Sequence, residues 1–264
     1  MLRCSTLTEH YDIHHIANYD GPGIPKTMHC DDALIKKCIC FLYHPVKNRE
    51  SLQSIDYVRK NLSKNTLALP MPYITSNLYW PLFLDRHSPI GISRNHSFGL
   101  FPYSSYILNE IIDRVDDVQK IVDLWNSIDP SDIIDTDMLL QQTLSKWDTL
   151  ERDSGAWLGI NTYLKENWRK KLLFYVYNHP SKDVFLYIAN KILNMMNCDS
   201  LSIFDIKGVN CGQDGIYPIN SITAKTFALQ FITDTSRFTY DGKFYTSDEF
   251  IAFYIDCYRN CKNN

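Results

Sequence analysis

Two histidines stand where apolar runs of strand length end. His179 lies in Asn178-His179-Pro180 directly after residues 172–177, and His44 lies in Tyr43-His44-Pro45 directly after residues 38–43. An imidazole with its ordinary pKa near 6.5 exchanges protons around neutrality, which suits a histidine at a strand end to general acid–base work. The Asn178 amide beside it can orient a substrate or donate to a developing oxyanion. Two plainer readings compete. His179 can cap the next helix or bond to backbone, and His44 can simply turn the chain ahead of Pro45. The eight cysteines point to reduced, mostly buried thiols. Cys38 and Cys40, and Cys257 and Cys261, have neither the spacing nor the histidine partners of a structural zinc site, so no metal is expected.

Position comes from the elements around these residues. The apolar run 38–43 reads as a buried parallel strand. Leu52, Ile55, Val58 and Leu62 follow at helical spacing, and 66–71 is again a strand, stopped by Pro70 and Pro72. Strand, helix and strand within so short a stretch are the mark of a βαβ unit. The segment 11–17 is a further strand candidate. Residues 72–102 are loop-rich but too aromatic for a plain linker. Apolar spacing predicts helices over 106–128 and 137–171, with Gly155 and Gly159 offering a bend in the second. Residues 172–177 form the third buried strand, 183–197 the helix after it, and 222–231 a shorter one. Thr246 and Glu249 have the spacing of a capping box that opens a last helix, with Phe250, Phe253, Tyr254 and Cys257 as its apolar stripe. In open α/β folds ligands bind beyond the carboxyl ends of parallel strands. The turns 43–45 and 178–180 are therefore expected side by side at one rim of a shared sheet, with 70–81 near them.

The bulk properties narrow the partners. Over 264 residues, apolar types make up 45% and charged types 22%, with a formal charge of −3. That balance supports one α/β domain with a real core and argues against a polyanion-binding surface, hence against nucleic acid. The longest apolar runs fall far short of the roughly 20 residues a spanning helix needs. The first ten residues have no apolar centre of the kind a signal peptide carries, so a cytoplasmic protein is expected.

At these same strand ends the chain resembles the WcbI-type polysaccharide-biosynthesis family. The strongest likeness is 172–181, a strand ending in Asn178-His179-Pro180 and followed by an apolar helix. Others are Tyr43-His44-Pro45, the strand end Leu69-Pro70-Met71-Pro72 with Tyr79-Trp80-Pro81 after it, Leu150-Glu151-Arg152-Asp153, and Gly215-Ile216-Tyr217-Pro218. Together they span most of 38–258. The resemblance implies a three-layer, mostly parallel sheet flanked by helices, of SGNH-hydrolase type, with extra C-terminal helices.

It also implies transfer of an acyl or acetyl group from coenzyme A to a sugar hydroxyl of a polysaccharide precursor. His179 would act as base and Asn178 as orienting amide, with His44 opposite as a second polar group. Arg152 would meet a phosphate, unless it pairs with Asp148 or Glu151 on its own helix. Tyr79 and Trp80 would line the pocket, unless they are plain core. The run Trp168-Arg169-Lys170-Lys171 reads as a solvated helix end. Members of the family begin with a strand leading into a Gly-Asn-Cys-Gln turn whose cysteine is taken as the nucleophile. Here residues 1–7 are expected to lie after that turn, and Cys211 sits among similar letters in a different context. An inactive or glycan-binding relative therefore stays open. A glycosyltransferase stays open too, although Asp31-Asp32 and Asp116-Asp117 read more simply as helix-start or surface features.

Overall fold

A computed structural model describes residues 11–14, 32–43, 55–83, 85–86, 101, 103–154, 158–206 and 215–262. Its contacts cluster in two compact units, each assembled from three stretches of chain. One takes residues 1–74, 147–162 and 185–209; the other takes 75–146, 163–184 and 210–264.

The first unit contains the expected βαβ. Helix α1 (Asp32–Lys37) leads into β1 (Cys40–Tyr43), followed by α2 (Ile55–Asn61) and β2 (Leu67–Pro70). The two strands pair in parallel, Cys40 opposite Leu67 and Tyr43 opposite Pro70. A helix between them supplies the crossover that parallel pairing requires. Strand β1 is only half-buried, where a fully buried strand was expected. Alternate side chains face the same side: Phe41 and Tyr43 stack with ring centroids 5.3 Å apart, and the Arg59 guanidinium lies over Tyr43 at 5.5 Å. A cation, rather than an apolar layer, covers that end of the face. Residues 11–14 are not strand; the rest of the proposed 11–17 strand lies outside the described residues.

The long helix expected over 137–171 divides into α6 (Thr136–Ser154) and α7 (Ile160–Asn167). Gly159 takes φ +68°, which glycine adopts without penalty. A Cβ there would also meet the Tyr187 hydroxyl at 3.0 Å. That hydroxyl donates to the carbonyls of Leu158 and Gly159. The carboxylate of Glu151 accepts from the N–H groups of Leu158 (2.7 Å) and Ile160 (3.0 Å). It thus takes the part of a cap for first-turn amides that have no partner within a helix. Glu151→Ala is expected to destabilise the protein by about 1 kcal/mol, seen as a fall of ~2–4 °C in the thermal midpoint.

The second unit carries α3 (Tyr106–Arg114), α4 (Val118–Asn126) and the short α5 (Pro130–Ile133), where one helix over 106–128 was expected. Ser105 and Asp117 cap α3 and α4 through the amides of Leu108 and Lys120. The break between them is held from far away in the chain. Arg259 of α10 (Ser247–Lys262) donates to the carbonyls of Val115 (2.8 Å) and Asp116 (2.9 Å), groups that a continuing helix would have bonded internally. In chain order α8 (Lys182–Met195), most of which belongs to the first unit, and α9 (Ser221–Thr226) precede α10; α9 is shorter than the expected 222–231 because Ala228 turns the chain with φ +52°.

Both halves of the capping box form at the start of α10. Thr246 Oγ1 accepts from the Glu249 amide at 3.3 Å and Glu249 Oε2 from the Thr246 amide at 2.8 Å. Those bonds, with Arg237 beside them, hold the Glu249 carboxyl below the usual range. The buried stripe of α10 is Phe250, Ile251, Tyr254 and Ile255; Phe250 and Tyr254 were expected there, while Ile251 and Ile255 take the places of Phe253 and Cys257, which are half-buried. It packs against Phe101, Tyr217 and Tyr240 at centroid separations of 4.9–5.2 Å, close enough for edge-to-face attraction.

The described strands pair in four two-stranded ladders. The β1–β2 ladder is parallel; β3 (Asp85–Arg86) with β4 (Tyr103–Ser104), β5 (Phe174–Val176) with β6 (His179–Pro180), and β7 (Phe238–Tyr240) with β8 (Lys243–Tyr245) are antiparallel. This is a mixed α/β fold. Strand β5 does not enter a ladder with β1 or β2 as expected. It turns at Tyr177-Asn178 and pairs with the residues that follow, the Ser181 amide reaching back to the Leu173 carbonyl at 2.8 Å. Other backbone bonds flank β5, from Ser76 N to Tyr177 O (2.9 Å) and from Tyr217 N to Tyr175 O (3.0 Å). No helix among the described residues is long and apolar enough to cross a membrane.

Candidate active site

The β5–β6 hairpin sets out the polar turn. All of β5 is buried, so the turn is the first place after it where side chains reach solvent. His179 is exposed and Asn178 half-buried. Enough protein surrounds the imidazole to desolvate its charged form, and its pKa is pushed below the ordinary histidine value. The first-turn amide of Lys182 bonds to the Tyr175 hydroxyl at 3.1 Å. That leaves His179 without the helix-capping part that competes with a chemical one.

Asn178 is held by a chain of long-range bonds. The Tyr103 hydroxyl donates to Asn178 Oδ1 at 2.7 Å. That bond fixes which way the amide is turned. Tyr103 is tied in turn to Tyr217, whose hydroxyl donates to the Tyr103 carbonyl at 3.1 Å and accepts from the Tyr103 amide at 3.3 Å. The Trp80 indole N–H donates to the Tyr217 carbonyl at 3.0 Å. Tyr217 is fully buried, and burial keeps its hydroxyl far from ionisation.

Around these residues lies a narrow cleft with water-sized room, lined by Ser76, Asn77, Trp80, Tyr103, Tyr177 and Tyr217, with Phe83 and Val176. Trp80 is one of the lining residues. Tyr79 lines a neighbouring cleft with Trp80 and Phe83. It is buried to 2% exposure, and its hydroxyl donates to the carbonyls of Trp168 (2.7 Å) and Lys171 (3.0 Å), anchoring the chain that enters β5.

Arg152 is exposed in the last turn of α6, in the first unit. His44 lies outside the described residues, as do residues 1–7 and Cys211. Among the described thiols, burial pushes Cys40 and Cys257 up to about 11. Both are protonated at neutral pH and are poor nucleophiles in that state.

Sequence reasoning missed Tyr103, Asn77 and Lys146. Lys146 donates to the hydroxyl of buried Thr75 and its Nζ stands 5.8 Å from the centroid of the Tyr177 ring, beside the turn. The aromatic excess over 72–102 marks the segment that holds Asn77 and ends just before Tyr103. Lys146 carried none, being one of several charges on a helix that reads as a solvated face.

Comparison with known proteins follows the same lines. No curated protein matches the sequence. A solved structure of WcbI, described as a novel polysaccharide biosynthesis enzyme in its native form without a disulfide bond between coenzyme A and one of its cysteines, superposes with a TM-score of 0.63. The two share 17% identity over 98% of this chain and 84% of that one; at that identity the likeness is one of fold. The family model of the polysaccharide biosynthesis enzyme WcbI matches residues 1–201, well over half of the 264, and the chain belongs to that family.

Proposed function

We propose that this protein transfers an acyl group, such as acetyl, from acyl-coenzyme A to a sugar hydroxyl during surface or capsular polysaccharide biosynthesis, with His179 as general base. The observation that carries this reading is an exposed imidazole whose neutral form is favoured by partial desolvation, set on a turn braced by Tyr103. A neutral imidazole near neutral pH is in the state a base requires. In the proposed step His179 takes the proton of the sugar hydroxyl while that oxygen attacks the thioester carbonyl. Asn178 donates a hydrogen bond to the oxyanion that forms. The carbon–sulfur bond then breaks, and the imidazolium returns its proton to the departing thiolate. No cysteine of the described residues takes part, consistent with the raised thiols of Cys40 and Cys257.

The fit to coenzyme A is partial. The cleft beside the turn has only water-sized room, far below the roughly 300–1,000 Å³ that ligand pockets of drug size occupy, so the substrates would lie over the turn rather than within that cleft. The phosphates of the cofactor call for cations, and Lys146, whose Nζ stands 5.8 Å from the centroid of the Tyr177 ring beside the turn, is the proposed partner. We place both compact units in one WcbI-like α/β domain; the interleaving of their chain segments supports one folding unit. A cytoplasmic location follows from the choice of acyl-coenzyme A as donor.

The test is titration of acetyl-coenzyme A into the full chain by calorimetry. Saturable heat is expected. Its absence from folded protein would overturn the transferase reading and leave a glycan-binding role.

A further inference from the structure

Helices α1 and α2 separate their charges end from end. Asp32 and Asp56 stand in the first turns, Lys36 and Lys37 in the last turn of α1, and Arg59 and Lys60 in the last turn of α2. The two helices run side by side in the same direction. The Tyr57 hydroxyl donates to Asp32 Oδ1 at 2.8 Å, tying the first turns together. The Thr66 hydroxyl donates to the Cys38 carbonyl at 2.6 Å, tying the chain that leaves each helix. The lysines therefore collect at one end of the pair. Lys64 joins them from the turn between α2 and β2, which the Thr66 amide closes on the Ser63 carbonyl. Ile39 lies at the same end, its carbonyl accepting from the Leu67 amide at 2.9 Å where the β1–β2 ladder begins. Arg59 leaves the group and lies over Tyr43, at the other end of β1.

Helix dipoles account for part of this arrangement. Cations in a last turn are favourable to a helix, which covers Lys36, Lys37 and Lys60. Lys64 lies beyond the helix, where the dipole offers it little. All four lysines are exposed, and none forms an ion pair among the described residues. Apolar side chains are exposed among them: Ile39 to 56%, and Leu34, one turn before Lys37 on α1, to 38%.

That mixture restricts the partner. Exposed cations of one sign attract a negatively charged surface. None of the four is buried, as a site built around one small anion would require. A soluble polyanion meets the charge but has no apolar phase to take Ile39 and Leu34. A bilayer with anionic lipids meets both, with headgroup charge for the lysines and the acyl boundary for the apolar side chains between them. No helix among the described residues is long and apolar enough to cross a membrane, so the contact is a peripheral one.

We infer that the end of the α1–α2 pair bearing Lys36, Lys37, Lys60 and Lys64, with Ile39 and Leu34, docks this protein on an anionic membrane surface. The inference does not rest on the transferase reading. Its test is sedimentation of the full chain with phosphatidylcholine vesicles made with and without phosphatidylglycerol. Binding is expected only where phosphatidylglycerol is present, and it should fall as salt is raised. The double variants Lys36→Gln/Lys37→Gln and Lys60→Gln/Lys64→Gln should each bind about 30-fold more weakly, at roughly fivefold per lysine near such a surface. Both should melt like the wild type, because the removed groups pair with nothing in the free protein. Ile39→Ser should bind about threefold or more weakly; should that variant melt early, Leu34→Ser takes its place. Lys120→Gln/Lys243→Gln, exposed cations of the other compact unit, should bind like the wild type.

The inference is overturned if the wild type ignores vesicles with phosphatidylglycerol, or if either lysine pair or the apolar variant leaves binding unchanged. It is overturned too if Lys120→Gln/Lys243→Gln weakens binding as much, which marks a general effect of charge. Binding of dextran sulfate that needs the lysines, without vesicle binding, assigns the patch to a soluble polyanion and removes the membrane. Absence of heat with acetyl-coenzyme A sinks the transferase alone and leaves the vesicle result standing.

Discussion

His179→Ala is expected to lower acyl transfer by about 10²–10⁴-fold, the range for loss of a general base, while leaving the thermal midpoint within a degree or two. The second half of that expectation comes from the setting of the side chain. It is exposed, and its imidazole makes no hydrogen bond among the described residues, so its removal empties no cavity and orphans no partner. Activity should fall in kcat more than in the KM for the donor, since the base acts on the acceptor hydroxyl as the transition state forms.

The pH profile supplies an independent sign. Desolvation lowers the His179 pKa, so the neutral, base-competent form persists below the ordinary value of about 6.5. As pH falls, kcat/KM should hold to below that value and then decline with unit slope. Linkage runs the same way: a group whose folded pKa is depressed favours the folded state above its unfolded pKa, and that contribution is lost as pH falls through the folded pKa. The acidic limb should vanish from whatever residual activity His179→Ala retains. A variant that keeps wild-type rates, or a limb that survives the substitution unchanged, removes His179 from the mechanism.

Tyr217→Ala should be the most destabilising single change near the site, by about 3–5 kcal/mol, the usual cost of deleting a large buried aromatic. The ring has 1% exposure and lies 5.2–6.2 Å, centroid to centroid, from Phe250, Tyr240, Phe83 and Tyr103. Little around so enclosed a residue can collapse into the space it leaves. A midpoint about 10 °C lower is expected in a thermal melt.

Tyr217→Phe separates packing from polarity. It keeps the ring and removes the hydroxyl that bonds to both the amide and the carbonyl of Tyr103, so it should cost only about 1–2 kcal/mol. Because Tyr103 is also the donor to Asn178, the loss of transfer activity should exceed what this modest destabilisation explains. A Phe variant with full activity would show that the Tyr217–Tyr103–Asn178 chain does not position the turn.

The parts of the fold legible in the sequence are those whose stabilising partners are near in the chain. The βαβ unit announces itself because a strand, a crossover helix and a second strand each carry their own apolar pattern within residues 40–70. The capping box of α10 is readable because Thr246 and Glu249 bond to each other's amides three residues apart. The strand ending at Asn178-His179-Pro180 is visible for the same reason, a dense apolar run stopped by a polar turn, and with it the two residues on which the proposed chemistry rests. Asp32 and Asp117 likewise stand at helix starts, one of the two plain readings their pairs allowed.

Partners distant in sequence decided the rest. The apolar spacing of 106–128 fits one helix, and nothing local marks the break at 115–117 that Arg259 holds from 144 residues away. Strand β5 satisfies the pattern of a parallel strand equally well when it turns back on β6, because hydrophobic periodicity reports burial and not the identity of a neighbour. The Tyr103–Asn178 bond spans 75 residues. Asn77 and Lys146 gain meaning only from the cleft and the ring beside them. A polar residue looks the same in a sequence whether it is solvated, capped or left buried without a partner, and the choice among these belongs to three-dimensional packing.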